Sequence, residues 1–420
     1  MTEDASTPGQ PPVAPGRRTL PLLFLTVFVD LVGFGIVLPL LPLYADRFGA
    51  SGLTVGLLVM VYSVAQFFMA PIWGRLSDRH GRRPILLLGL LGSAAAYLVF
   101  AWAGSVAALF ASRILAGIGG STIPVAEAYI ADVTPPEKRA GNMGLIGAAF
   151  GLGFTVGPAL GGLTVGVSTA LPGYLAAALC LANAAIAALL LPETRSRASR
   201  DATRHAIPPR RRPGWAFTTE GLGIALRKPG LRRVLLLYFL FTVAFAVIQP
   251  TLSLFGAQRF GLDARGVGYL FAFLGLVSAV VQGGLVRRIV PRIGEARLIR
   301  ICGVPFALGL LLLAWAPDLG WVVAALAFLA VGYGGTVPSV LGLISRASPP
   351  EIQGGMLGVG QSVGSLARIA GPVLAGAALD LSMALPYLLG AGVAALGTLG
   401  AIGLVQPRIS GPSSPATPPS

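Results

Sequence analysis

Apolar stretches of about 20 residues recur twelve times along the chain, at roughly 20–44, 53–74, 84–103, 106–130, 141–166, 171–192, 232–256, 266–290, 298–316, 320–344, 355–378 and 384–405. A helix of about 20 residues rises about 30 Å, the thickness of a bilayer's hydrocarbon core. Backbone placed in hydrocarbon must satisfy its own hydrogen bonds, so each stretch reads as a helix rather than a strand. Twelve such spans in 420 residues leave no room for a large soluble domain. The composition agrees, with 55% hydrophobic and 11% charged residues and a mean hydropathy of +0.78. Soluble domains carry about twice that charged fraction. The fold expected is an all-α, multi-pass integral membrane protein.

The first span is expected to stay in the mature chain. Met1–Gly16 is polar and Pro-rich, with Glu3 and Asp4 where a signal peptide would be basic. Cys180 and Cys302 both fall inside spans and read as small apolar filler rather than redox or metal-binding groups. The net charge of +15 raises the question of a nucleic-acid partner, and its distribution answers it. With both termini placed in the cytoplasm, 26 of the 31 lysines and arginines fall in cytoplasmic segments. Arg47, Arg259 and Arg265 fall outside, and Arg113 and Arg368 fall within spans. That bias orients helices during insertion. It points to a lipid bilayer and to no nucleic acid.

Residues 193–231 form the one long polar stretch, and they divide the spans six and six. The halves then repeat each other. A shift of 214 residues carries Pro124 onto Pro338, Pro135-Pro136-Glu137 onto Pro349-Pro350-Glu351, Gly157-Pro158 onto Gly371-Pro372 and Gly162 onto Gly376. Shared helix-packing composition explains recurring glycines but not the Pro-Pro-Glu loop. The chain thus reads as a cytoplasmic tail (1–18), a six-helix bundle (19–192), a basic cytoplasmic linker (193–231), a second six-helix bundle (232–405) and a tail (406–420). Many secondary transporters follow this plan, with the substrate site near mid-membrane between the halves.

No ATP-driven engine is visible. A phosphate-cradling loop needs Gly-x-x-x-x-Gly-Lys-Ser/Thr, and the two lysines, Lys138 and Lys228, stand in no such context. "GLGFTVG" (Gly151–Gly157) misses the dinucleotide spacing and lies inside a span. The two histidines, His80 and His205, are isolated, so no metal site is expected. Neither an enzyme nor a cofactor is implied.

Four motifs carry a resemblance. "GRLSDRHGRRP" (Gly74–Pro84), between the second and third spans, resembles the signature loop of the major facilitator superfamily. "DLVGFGIVLPLLP" (Asp30–Pro42) resembles the first-helix motif of its twelve-helix drug:proton antiporters, and "RILAGIGG" (Arg113–Gly120) their fourth-helix motif. "GAAFGLGFTVGPALGG" (Gly147–Gly162) is similar to their fifth-helix antiporter motif. The resemblance covers about residues 19–405 and is nearest to the tetracycline-resistance exporters. It implies twelve transmembrane helices in two six-helix pseudo-repeats, and a small-molecule substrate exchanged for protons down a proton gradient. Two departures set tetracycline itself apart. Those exporters typically carry an acid before the third-helix tyrosine, where this chain has Ala96 before Tyr97, and often a membrane histidine in the second half, absent here.

Each motif also has its own physics. Asp30 is the one acid deep inside a span. A charge there costs at least about 2.5 kcal/mol, which makes it a functional candidate by default. At 1.5 Å per residue, Asp30 lies roughly 15 Å and Arg113 roughly 19 Å from the cytoplasmic face, so a pair between them is geometrically possible. The resemblance implies that pair. The alternatives are a proton or substrate role for Asp30 and a purely structural ion pair. In the loop that Gly74 opens, Arg79, Arg82 and Arg83 suffice as a topology anchor, and Gly81 permits the tight turn. The resemblance further implies that Asp78 faces the N-terminal end of the eleventh helix near Gln353, and that Arg82 pairs with Asp132, as a latch on the cytoplasmic side. The corresponding stretch Gly283–Arg297 keeps its arginines and Gly294 but has no aspartate.

In the fifth span, Gly147/Gly151 and Gly157/Gly161 are small-xxx-small pairs, continued by Gly162, that allow close backbone approach. Pro158 removes a helix hydrogen bond and bends the span. Glu127 reads as a solvated acid near the end of its span. Tyr62, Gln66, Phe67, Tyr238, Phe241, Phe245 and Gln249 are candidates for lining a cavity. Arg368 either snorkels, pairs with a carbonyl, or meets an anionic substrate group. The function expected is proton-coupled efflux of drug-like or lipophilic molecules by a monomer in the cell membrane. An importer or facilitator of sugars or organic solutes, and a non-transporting sensor or scaffold, are the alternatives.

Overall fold

In the computed structural model, residues 19–134, 136–194, 223, 227–347 and 353–404 are described. Among them the ordered elements are helices. Ten helical segments are long and apolar enough to cross a membrane, and two shorter apolar helices, Ala149–Val165 and Leu385–Gly400, stand at the fifth and twelfth positions. The fifth span as a whole runs Pro136–Val165. The second half opens at Pro229, three residues before the boundary the hydropathy pattern gave.

Several spans break where the chain cannot donate a hydrogen bond. The first is two helices, Thr19–Val37 and Leu40–Arg47, broken at Pro39. The fourth breaks between Val106–Gly119 and Ile123–Val133, ahead of Pro124. The seventh breaks between Pro229–Ala246 and Ile248–Phe260, ahead of Pro250. In each case the proline ring fixes φ and lacks an N–H, so the break falls beside it.

The second and eighth spans are structural twins. The second, Gly52–His80, begins after Ser51, whose hydroxyl accepts from the Thr54 N–H, and ends at Gly81 with φ 105°. The eighth begins after Asp263, whose carboxylate accepts from the Gly266 N–H, and ends at Gly294 with φ 80°. Side-chain caps of this kind are worth about 1 kcal/mol each, and left-handed φ favours glycine at both C-terminal ends. The eighth span is 30 residues long against 29 for the second. The additional residue coincides with a single stretch of π-helix, Val281–Val286.

Packing follows the repeat. One buried cluster fills the second half, around Phe241, Phe306, Leu310 and Tyr387. Two fill the first, one around Ile36, Tyr44, Leu58 and Phe100, the other around Leu23, Leu86, Tyr129 and Ile130. The halves meet through two antiparallel pairs, the second span against the eleventh and the fifth against the eighth. Their described close contacts gather toward the arginine-poor end of the molecule. A Cβ at Gly56 would stand 2.2 Å from the Pro372 carbonyl oxygen, and one at Gly275 2.4 Å from that of Phe154. The Ser253 hydroxyl donates to the Pro39 carbonyl at 2.8 Å, joining the seventh span to the first. Toward the arginine-rich end, Gly74, Gly283 and Gly284 face open space.

Candidate functional site

Polar side chains of the spans gather in each half, and Arg368 reaches Tyr62 across the divide. From the first half, Asp30 is half-buried and its carboxylate meets the hydroxyl of Ser93 on the third span (Arg82–Ala101). Arg113 on the fourth span is only 2% exposed. Its guanidinium donates to the Ser112 hydroxyl at 3.1 Å, lies 5.6 Å from the centre of the Phe100 ring, and leaves Nε with no partner. The expected ion pair between Asp30 and Arg113 is not formed. Tyr62 and Tyr97 each interact electrostatically with both charges, and the Tyr97 ring lies against Gly33, where a Cβ would meet it at 2.9 Å. Depth alone put the two charges together; in the fold each turns to its own partners, Asp30 to Ser93 and Arg113 to Ser112 and the Phe100 ring.

Gln66 donates to the Tyr62 hydroxyl at 3.4 Å and to the Gly120 carbonyl at 3.3 Å, and the Tyr62 ring packs on Phe34 at 4.8 Å. From the second half, Arg368 on the eleventh span donates to the Ser365 hydroxyl at 3.1 Å and hydrogen-bonds Tyr238. Tyr333 stacks on Phe245 at 3.7 Å. Arg368 reaches both Tyr333 and, across the divide, Tyr62 electrostatically. Of the candidates named from sequence, Phe241 belongs elsewhere. It is fully buried in the second-half core against Phe306 and Gly397. Gln249 is buried at the break of the seventh span, and Phe67 stands edge-on to the exposed Phe68. Glu127 is half-buried, so the expectation of a solvated interfacial acid gives way to a partly enclosed one. Ser93, Tyr97 and Tyr333 were not singled out, although a polar atom inside an apolar span was signal enough.

The loop between the second and third spans is built around Arg82, which is 5% exposed. Its guanidinium pairs with Asp78 at 2.8 Å and with Asp132 at 3.0 Å, and donates to the Ser77 hydroxyl at 2.7 Å. Thr194 donates to the same Asp132 carboxylate at 3.1 Å. Glu193 accepts from the backbone N–H of Arg82 at 2.9 Å and of Arg83 at 3.2 Å, capping the third span, while the Arg83 guanidinium donates to the Ala188 carbonyl. Gly81 holds the turn at φ 105°, Arg79 is exposed, and Gly74 faces open space. The expected contact of Asp78 with the eleventh helix near Gln353 lies outside the described side chains. Within the described residues the loop fastens the second, third, fourth and sixth spans of one half together.

The second half holds a counterpart of opposite sign. Glu295, 3% exposed, follows Gly294 as Arg82 follows Gly81, and pairs with Arg346 at 2.9 Å. The 214-residue shift carries Asp132 onto Arg346, so the pair is conserved in place and reversed in polarity. Removing Arg82 takes the counter-charge from Asp132, leaving it the Thr194 hydroxyl, and breaking a buried pair from one side costs about 3–5 kcal/mol, less where a partner is solvated. Arg82→Met is therefore expected to lower the melting temperature of the purified protein by several degrees. A Met variant as stable as the parent would show that the network contributes no stability.

The fifth span uses its glycines at two interfaces. Gly157 and Gly161 face the first span, where added Cβ atoms would stand 2.7 Å from Gly35 Cα and 2.5 Å from the Ile36 carbonyl. Gly151 and Gly162 face the eighth span at Ala279 and Arg265, at 3.4 and 3.1 Å. Pro158 lies inside the helix, its carbonyl against Gly268. Gly147 lies outside the described side chains.

This arrangement has known parallels. The sequence matches the Major Facilitator Superfamily over residues 23–372 and 289–418. It is 31% identical over 415 residues to mouse "Major facilitator superfamily domain-containing protein 10", covering 89% of this chain and 90% of that protein. It is 34% identical over 352 residues to "Tetracycline resistance protein, class C" of Escherichia coli, covering 83% and 86%. The crystal structure of the human organic anion transporter MFSD10 (TETRAN) superposes with a TM-score of 0.68 at 28% identity, covering 93% of this chain and all of that one. Two six-helix halves meeting at a polar interior, the Gly74–Pro84 loop and these matches together make the chain a multi-pass membrane member of the major facilitator superfamily, a family of transporters and not of enzymes.

Proposed function

We propose that the protein is a secondary active transporter that exports drug-like or lipophilic small molecules in exchange for protons, by alternating access. The observation that carries this is Asp30. It is the one carboxylate deep in the spans, it faces Ser93, Tyr62 and Tyr97 of the first half, and Arg113 forms no ion pair with it. A neutral or cationic substrate at this site competes with the proton for Asp30, which is the condition for exchange. Similarity to tetracycline and multidrug resistance proteins supports the direction. In this reading the arginine-rich end and both termini face the cytoplasm, the cell membrane holds a monomer, and the proton gradient takes the place of a cofactor.

A second reading has its own observation. Neither Arg113 nor Arg368 has a carboxylate within ion-pair distance among the described residues, and one similar protein is named an organic anion transporter. Electrostatics separates the two readings by sign. An anion binds more tightly when Asp30 is protonated and so travels with the proton, whereas a neutral or cationic substrate displaces it. The test is the pH change of a weakly buffered detergent solution on adding candidate substrates to the purified protein. Acidification supports antiport; alkalinisation overturns it in favour of cotransport of an anion.

A further inference from the structure

The second span (Gly52–His80) begins with backbone N–H groups that its own helix cannot satisfy. Ser51 takes one of them, that of Thr54, at 3.2 Å. Two others are satisfied from the opposite half of the protein. Asp380, at the last turn of the eleventh span (Gln353–Leu381), accepts from the Gly52 N–H at 2.6 Å with one carboxylate oxygen and from the Leu53 N–H at 2.9 Å with the other. The negative charge thus sits on the positive end of a 29-residue helix, where dipole and hydrogen bonds act together. The approach is possible because both backbones are bare. A Cβ at Gly52 would stand 2.6 Å from the Gly376 carbonyl oxygen, and one at Gly376 would stand 2.2 Å from that of Gly52.

The ion pairs among the described residues each lie within a single half, whereas this contact crosses between them. Asp380 also has a mirror image in the sequence. The second and eleventh spans are antiparallel, and the last turn of the second span carries Asp78, here engaged by Arg82. Each helix of the pair therefore ends in an aspartate near the level at which its partner begins.

We infer that Asp380 is a gating residue of the transport cycle. By capping the second span across the divide, it holds the arginine-poor end shut. Opening that end breaks both hydrogen bonds at once and returns Gly52 N–H, Leu53 N–H and the carboxylate to water. The cap exists in one conformation and not in the other, so it sets the balance between them. This rests on alternating access between the halves but not on proton coupling or on the identity of the substrate.

The experiment measures distance rather than transport. Spin labels are placed at Phe48→Cys and Ser382→Cys, both exposed at the arginine-poor end, with Cys180 and Cys302 replaced by alanine. Pulsed dipolar spectroscopy on the purified full chain then gives the population with the two halves apart. Asp380→Ala is expected to raise that population about tenfold, the factor for about 1.4 kcal/mol. Leu53→Pro removes one of the two donors while leaving the charge in place, at a first-turn position where proline is tolerated; it is expected to shift the same population in the same direction. Asp380→Glu, which keeps the carboxylate, is expected to restore much of the parental distribution. Unchanged distances in Leu53→Pro, or in a folded Asp380→Ala protein, overturn the proposal. Failure of the proton-release assay leaves these distances untouched, so the two readings fail separately.

Discussion

Asp30→Asn is expected to abolish uphill export driven by a pH gradient while leaving the protein folded. Asparagine preserves the size of the side chain and a hydrogen bond to Ser93, and it removes the titratable group. Because Arg113 draws its contacts from Ser112 and the Phe100 ring rather than from Asp30, the substitution strands no ion pair. Stability should change by no more than about 1 kcal/mol, the scale of one net hydrogen bond. Substrate-induced acidification of weakly buffered detergent solution should vanish, and export from inverted vesicles should fall to the level set by the substrate gradient alone. Binding of an uncharged substrate should survive, which separates loss of coupling from loss of the site. Glu127 is another half-buried acid of the first-half spans, so Glu127→Gln serves as the comparison and should retain coupling. An Asp30→Asn protein that still releases protons on substrate addition and still exports uphill would place the coupling group elsewhere.

Gly157→Leu should strongly disrupt the packing of the fifth span on the first. A Cβ at this position would stand 2.7 Å from Gly35 Cα and 2.7 Å from the Val32 carbonyl oxygen. Both are backbone atoms, so no rotamer change relieves the clash, and the fifth span must move away from the first. Overpacking of this sort typically costs about 1–3 kcal/mol, and the displaced segment of the first span is the one that carries Asp30. We expect a folded protein with a lowered melting temperature and with exchange that is lost or leaky to protons. Gly151→Ala is the internal control. Its Cβ would meet Ala279 at 3.4 Å, an ordinary contact, so exchange should be near normal. Wild-type proton-coupled export by Gly157→Leu would sink the close-packing account of this span.

The spans themselves were legible because hydrocarbon imposes a length and a polarity that leave few alternatives. The repeat was legible because Pro-Pro-Glu is not a composition that helix packing explains. What hydropathy reads is depth, one coordinate of three. Asp30 and Arg113 share a depth, yet one turns to Ser93 and the other to Ser112 and the Phe100 ring, and no one-dimensional pattern carries that angle. Phe241 failed for the same reason, its helical spacing fitting a cavity wall and a core equally well. Asp380 carries no local signal of its role, because the helix start it caps lies 328 residues away in sequence. The reversed pair Glu295–Arg346 was within reach of the sequence. The same shift that aligned the prolines sets Arg346 on Asp132, and a search for opposite charge rather than for another aspartate would have found it.

The short π-helix in the eighth span has a consequence for how this chain tolerates change. The caps fix both ends of the span relative to its twin, Ser51 matched by Asp263 and Gly81 by Gly294, yet one more residue lies between them. In an unbroken α-helix an inserted residue would turn everything beyond it by about 100°, rotating the glycine face of the span off its neighbour. The wide turn at Val281–Val286 takes up the surplus locally, so the packing before it and the loop after it keep their phase. It lies beyond Gly275 and Ala279, the close contacts with the fifth span, and contains Gly283 and Gly284, where added Cβ atoms would meet open space. Shortening the chain by one residue at Gln282 should restore a regular helix and be borne quietly. The same deletion in the second span, which has no slack to give back, should cost the protein its fold.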